Sequence, residues 1–146
     1  MRAYPKTHLS SVVAAAAALL IQSVPLGAQA EPKTELSGRC DYPDRVARYR
    51  NETTLILCDS ASIERGSATA TLDFQQRSWG SMARFSGAMA GNRMTVSRVI
   101  LRDGRDLAAS GTCQIFYRND GHVSTISCLA KAGSRSVAAN FAPSRL

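Results

Sequence analysis

The sequence predicts an all-β fold, a small antiparallel β-sandwich or barrel-like meander stapled by two disulfides, on three observations. Beyond residue 30 the chain has almost no helical periodicity, while alternating apolar and polar residues recur between short polar turns. The dipeptides Asp103-Gly104 and Asp120-Gly121 are of the kind that closes tight hairpins. All four cysteines lie beyond residue 30, the number that two bridges require.

The first thirty residues read as an export signal. Arg2 and Lys6 make a positive start, with no acid before Glu31. An apolar stretch follows from Val12 to Ile21, too short for the roughly 20 residues that span a bilayer. Pro25 and Gly27 end it, and Ala28-Gln29-Ala30 places small residues where a signal peptidase reads them. Cleavage after Ala30 would start the mature chain at Glu31. That predicts a periplasmic or secreted protein, not membrane-spanning after cleavage. A lipoprotein fits less well, because Arg39 stands between Leu36-Ser37-Gly38 and Cys40.

Beyond a short N-terminal segment, 31–36, residues 37–146 read as a single β domain. Two strands are expected near Thr53–Cys58 and Met82–Met89, and one over Ala68–Phe74, where small or apolar residues alternate with polar ones. Met94–Leu101 is a β-branched run ended by Asp103-Gly104. Leu107, Ala109, Gly111, Cys113, Ile115 and Tyr117 share one strand face, and Val137, Ala139 and Phe141 mark a last strand before Pro143.

The cysteines sharpen this pattern. With Asp120-Gly121 at the centre of a two- or four-residue hairpin loop, Cys113 falls opposite Cys128. Turn and cysteines thus fix one register independently, and Cys40 is left to pair with Cys58. The two segments also resemble each other: Ser37-Gly38-Arg39-Cys40 echoes Ser110-Gly111-Thr112-Cys113, and Tyr49-Arg50-Asn51 echoes Tyr117-Arg118-Asn119. Two related disulfide hairpins would account for that likeness.

Little in the chain speaks for catalysis. Beyond residue 30 the one histidine, His122, falls beside a turn, where it could pair with Asp120. No serine sits in a G-x-S-x-G elbow, and no HxH or HExxH pair offers metal-ligand spacing. Asp103 and Asp106 read as turn acids, and with both bridges formed no thiol is free. No catalytic residue, metal or cofactor is therefore assigned.

Charge points to binding. The whole chain has 18 Lys and Arg against 11 Asp and Glu. Removing residues 1–30 takes away two cations and no acid, which leaves a net charge of +5. Arg93, Arg98, Arg102 and Arg105 gather around one expected hairpin and are the candidate anion-binding residues, since guanidinium forks suit phosphate and carboxylate. Trp79, the one tryptophan, is either a core plug or an exposed contact. The expectation is a non-enzymatic binding or accessory module of the cell envelope, with loops 41–52 and 102–106 as contact surface. Its partner would be an acidic envelope glycan, a lipid headgroup or a protein, and not nucleic acid. A small envelope hydrolase and a structural subunit of an envelope assembly are the alternatives.

Overall fold

The computed structural model describes residues 32–145, so the expected export signal, with cleavage after Ala30 and a terminus at Glu31, lies outside the described residues. The elements run β1 (Thr34–Cys40), α1 (Asp44–Ala47), β2 (Thr53–Leu55), β3 (Ser60–Arg65), β4 (Thr69–Gln76), β5 (Gly80–Ala90), β6 (Arg93–Leu101), β7 (Asp106–Tyr117), β8 (Val123–Ala132) and β9 (Arg135–Pro143). Among the described residues, no helix is long and apolar enough to cross a membrane.

Eight strands close into a barrel. From β3 to β9 each strand pairs antiparallel with the next, and β1 seals the gap between the first and the last. Thr34 to Ser37 of β1 pair with β3, and Gly38 to Cys40 pair with β9. Residues 34–36 therefore belong to the wall. Of the two architectures the alternation allows, the structure is the barrel.

Period-two alternation decides which side chains face inward. Leu72, Phe85, Val99 and Leu107 oppose one another in turn across β4 to β7. Ile115, Ile126 and Phe141 form a second row across β7 to β9. Phe74 meets Phe85 edge to face, with ring centroids 5.7 Å apart. Small inward residues, Ala70, Ala83, Ala130 and Ala139, make room for the three buried phenylalanines. An eight-stranded barrel is just wide enough for its own side chains, and this one is filled by them. Any site must then lie at an end or on the outer wall.

Both disulfides form as the sequence predicts, Cys40–Cys58 and Cys113–Cys128. They point to an oxidising compartment, extracellular or periplasmic. Cys113 and Cys128 are directly opposed, with Cα atoms 4.0 Å apart, and both side chains face the core. The tip of that hairpin differs from expectation. Tyr117 lies opposite Val123, and the connection is residues 118–122. There the Gly121 N–H donates to the Arg118 carbonyl at 2.9 Å, and the Arg118 N–H to that of His122 at 2.8 Å. Gly121 adopts φ 83°, which a side chain would disfavour. One bulged residue, Ser124, offsets the odd loop and keeps the register at the cysteines.

The other bridge is no hairpin. After Cys40 the chain leaves the wall, forms α1 and lays β2 parallel along β9, Thr53 opposite Ser136 and Leu55 opposite Ala138. It returns at Cys58, whose carbonyl accepts the Cys40 N–H at 2.8 Å. The expected strand near Thr53–Cys58 thus stops at Leu55, and the next three residues complete the crossover that began after Cys40. Ile56, the first of the three, is buried in the core cluster and closes that end of the barrel. The two cysteine segments are alike in sequence and unlike in pairing.

Candidate functional site: the closed end of the barrel

The closed end carries the 41–59 crossover and the β4–β5, β6–β7 and β8–β9 turns. Tyr42 fixes the crossover from beneath, its hydroxyl lying 2.5 Å from the Ile56 carbonyl oxygen and 3.0 Å from that of Ala138. Burial pushes the Tyr42 phenol up to about 12. Held this way, residues 54–57 stand as a ridge with a cleft on each side.

The first cleft, about 540 Å³, runs between the ridge and the β6–β7 turn and is lined by Leu55, Leu57, Met82, Leu101, Arg102 and Arg105 among others. At its edge the Arg102 guanidinium stacks on the Trp79 indole, 3.9 Å from the ring centroid. Trp79 is therefore no core plug: it is 57% exposed, and Leu57 is 60% exposed. The second cleft, about 670 Å³, shares Thr54, Leu55 and Leu57 with the first and brings in Asp41, Asp44, Arg50 and Arg135. A third groove, between α1 and the outer wall, shares Thr53 with the second and is lined by Val46, Tyr49 and Leu129. Of the large apolar side chains exposed among the described residues, Leu57 lines the first two clefts, Tyr49 and Leu129 line the third, and Trp79 meets the first through Arg102. Exposed apolar side chains gathered around clefts at one end mark an interaction site more often than a bare solvent face.

The four arginines singled out in the sequence do not converge. Arg93 starts β6 and Arg102 follows its end, so they sit at opposite ends of the barrel. Arg98 is bidentate to Asp106, and Arg105 is 2.7 Å from Asp103. The backbone N–H and guanidinium of Arg105 hold the Asp103 carboxyl below its ordinary value, and the Arg98 guanidinium does so for Asp106. Only Arg102 of the four is both at this end and without a carboxylate within 4.0 Å among the described residues. The same holds for Arg45, Arg48 and Arg50 of the crossover, Arg77 of the β4–β5 turn, and Arg135. Tertiary structure, not spacing, selects which cations are available.

One acid–serine arrangement went unseen in the sequence. Asp73 is buried on the outer side of β4, with Ser81 Oγ donating to its Oδ1 at 2.5 Å. Gln75 Nε2 and Arg84 Nη2 donate to Oδ2 at 2.9 and 3.2 Å. Both carboxylate oxygens are engaged, and neither Asp73 nor Ser81 lines any of these three clefts. That geometry braces β4 against β5. His122 lies at the other end, its Nδ1 3.2 Å from Asp120. Among the described residues, no group of three His, Cys, Asp or Glu could hold a metal ion.

Comparison of the chain with protein-family models, with curated proteins and with solved structures finds no match.

Proposed function

We propose that this chain is an exported, non-enzymatic binding module of the cell envelope that holds a protein partner across the closed end of the barrel. The observation that carries this reading is the set of exposed apolar side chains at this end, Tyr49, Leu57, Trp79 and Leu129, beside three adjoining clefts. Aromatic and aliphatic anchors surrounded by arginine are the composition that dominates binding energy at protein interfaces. The unpaired Arg45, Arg48, Arg50, Arg77, Arg102 and Arg135 favour a partner whose contact rim is acidic. A filled barrel interior supports a surface role over an enclosed chamber.

The test is site-specific photocrosslinking in the native envelope, with the reactive residue at Leu57, at Trp79, or at the exposed wall position Thr95. A shared heterologous adduct from positions 57 and 79, absent from 95, is the expected result. Identical adducts from all three positions, or only a dimer of this chain, would overturn it. The hydrolase alternative has one arrangement in its favour, the short Ser81–Asp73 hydrogen bond. Ester or peptide hydrolysis by the mature protein that is lost in Ser81→Ala would replace the binding reading.

A further inference from the structure

The opposite end of the barrel carries a hollow of its own, and nothing in the binding reading uses it. The hollow, about 410 Å³, forms the mouth and reaches from β1 and β3 across to the β7–β8 turn. Leu36, Ile63 and Val123 form an apolar floor, and Ile63 itself belongs to the core. The polar side chains of its lining are Thr34, Arg65, Tyr117 and His122.

Arg65 is the distinctive member. It leaves the end of β3 and reaches two separate parts of the rim, Nη1 donating to the Gly91 carbonyl at 3.0 Å and Nη2 to the Tyr117 hydroxyl at 2.9 Å. β3 and β7 are not neighbours in the wall, so the side chain spans the opening. No carboxylate lies within 4.0 Å of it among the described residues. A guanidinium has five N–H donors, and these two bonds leave three. The Tyr117 oxygen accepts from Arg65, which leaves its own O–H to donate. His122 directs Nδ1 to Asp120, and its Nε2 has no partner among the described residues. Arg93, which begins β6 just after the Gly91 turn, adds positive charge at the same end.

We propose that this mouth is a binding site for a small amphiphile, its anionic head held by Arg65, Tyr117 and His122 and its apolar body resting on Leu36, Ile63 and Val123. Barrel mouths with an apolar floor and a few convergent polar groups are a common form of ligand site. The head is a carboxylate or a phosphate monoester, since both accept several N–H and O–H donors at once. The site goes beyond the protein-binding surface and stands or falls without it.

The test is a nuclear magnetic resonance titration of the mature protein with decanoate, decyl phosphate, decanol and acetate. Decanoate or decyl phosphate is expected to saturate, with shifts at Leu36, Ile63 and Val123, and the tighter of the two identifies the head group. Decanol, which lacks the charge, and acetate, which lacks the tail, should each bind at least about tenfold more weakly. Arg65→Gln should weaken the anion by about tenfold or more and leave decanol unchanged. Tyr117→Phe removes one donor with the ring kept in place, so it reports on the site even if Arg65→Gln fails to fold. Decanol binding as tightly as decanoate, equal affinity in Tyr117→Phe and the unaltered protein, or shifts confined to the closed end would each overturn the proposal.

Discussion

Replacing Cys113 and Cys128 together by alanine should lower the stability of the mature protein by about 4–5 kcal/mol. The bridge closes a sequence separation of 15, for which chain-entropy reasoning gives about 3 kcal/mol. The structure adds a second contribution. Both side chains are buried, at 0% and 2% exposure, so removing two sulfur atoms leaves a void that the surrounding strands cannot fill. At about 0.8 kcal/mol per buried methylene-sized group, that void costs roughly a further 1–2 kcal/mol. The Cys40–Cys58 bridge is the internal control. Its separation of 18 gives nearly the same entropic contribution, but of its two side chains only Cys58 is buried, so Cys40→Ala with Cys58→Ala should cost about 3–4 kcal/mol. Urea unfolding followed by far-ultraviolet circular dichroism measures both. At a slope of about 1–3 kcal/mol per molar, the first variant should lose roughly 2 M in midpoint. A loss under 2 kcal/mol for the core pair, or a larger loss for the crossover pair, would refute this assignment of the two bridges. A second readout separates them further. Trypsin should cut the crossover variant faster after Arg48 and Arg50, because that bridge ties the 41–57 segment to the wall, and the core variant should show no such local acceleration.

Three further outcomes follow from named residues. Gly111→Ala should destabilise by about 1–3 kcal/mol in the same urea assay, because a Cβ there would collide with the Leu129 carbonyl oxygen and the Ala130 Cα on β8, and backbone yields less than a side chain tip. Tyr42 is neutral and buried when folded, so its contribution is fully present below its unfolded value near 10 and is lost as pH rises from about 10 through about 12. Melting curves for Tyr42→Phe should accordingly fall less steeply across that alkaline range than those of the unaltered chain. Finally, intact mass of exported protein should correspond to a chain beginning at Glu31. A mass that retains Val12 to Ile21 would make that stretch an anchor.

Much of the wall was legible locally. Alternation over Met94–Leu101 and Leu107–Tyr117 marks β6 and β7 because period-two side chains must choose core or solvent along each strand. Asp103-Gly104 marks the turn between them because Gly104 adopts φ 84° there. The Cys113–Cys128 register was legible for the same reason, two local signals agreeing on one pairing. β3, by contrast, carries Ala61-Ser62-Ile63 between Ser60 and Glu64, and Ser62 is buried opposite Asp73, so its pattern is blurred. Helix α1 is a single turn, too short for periodicity to register.

The sequence by itself determined the strand-forming alternation, the turn positions, the two bridges and the excess of arginine. These depend on residues near one another in the chain or on simple pairing. Only tertiary structure decided that the sheet closes, since β1 meets β9 about a hundred residues away through Gly38 to Cys40, a pairing no local pattern encodes. It also decided which arginines are free. Arg98 and Arg105 are neutralised by Asp106 and Asp103 because the β6–β7 hairpin folds acid onto base, whereas Arg102 is turned onto Trp79 and Arg65 is carried across the mouth. Charge composition counts cations, but availability depends on which carboxylates the fold brings within reach.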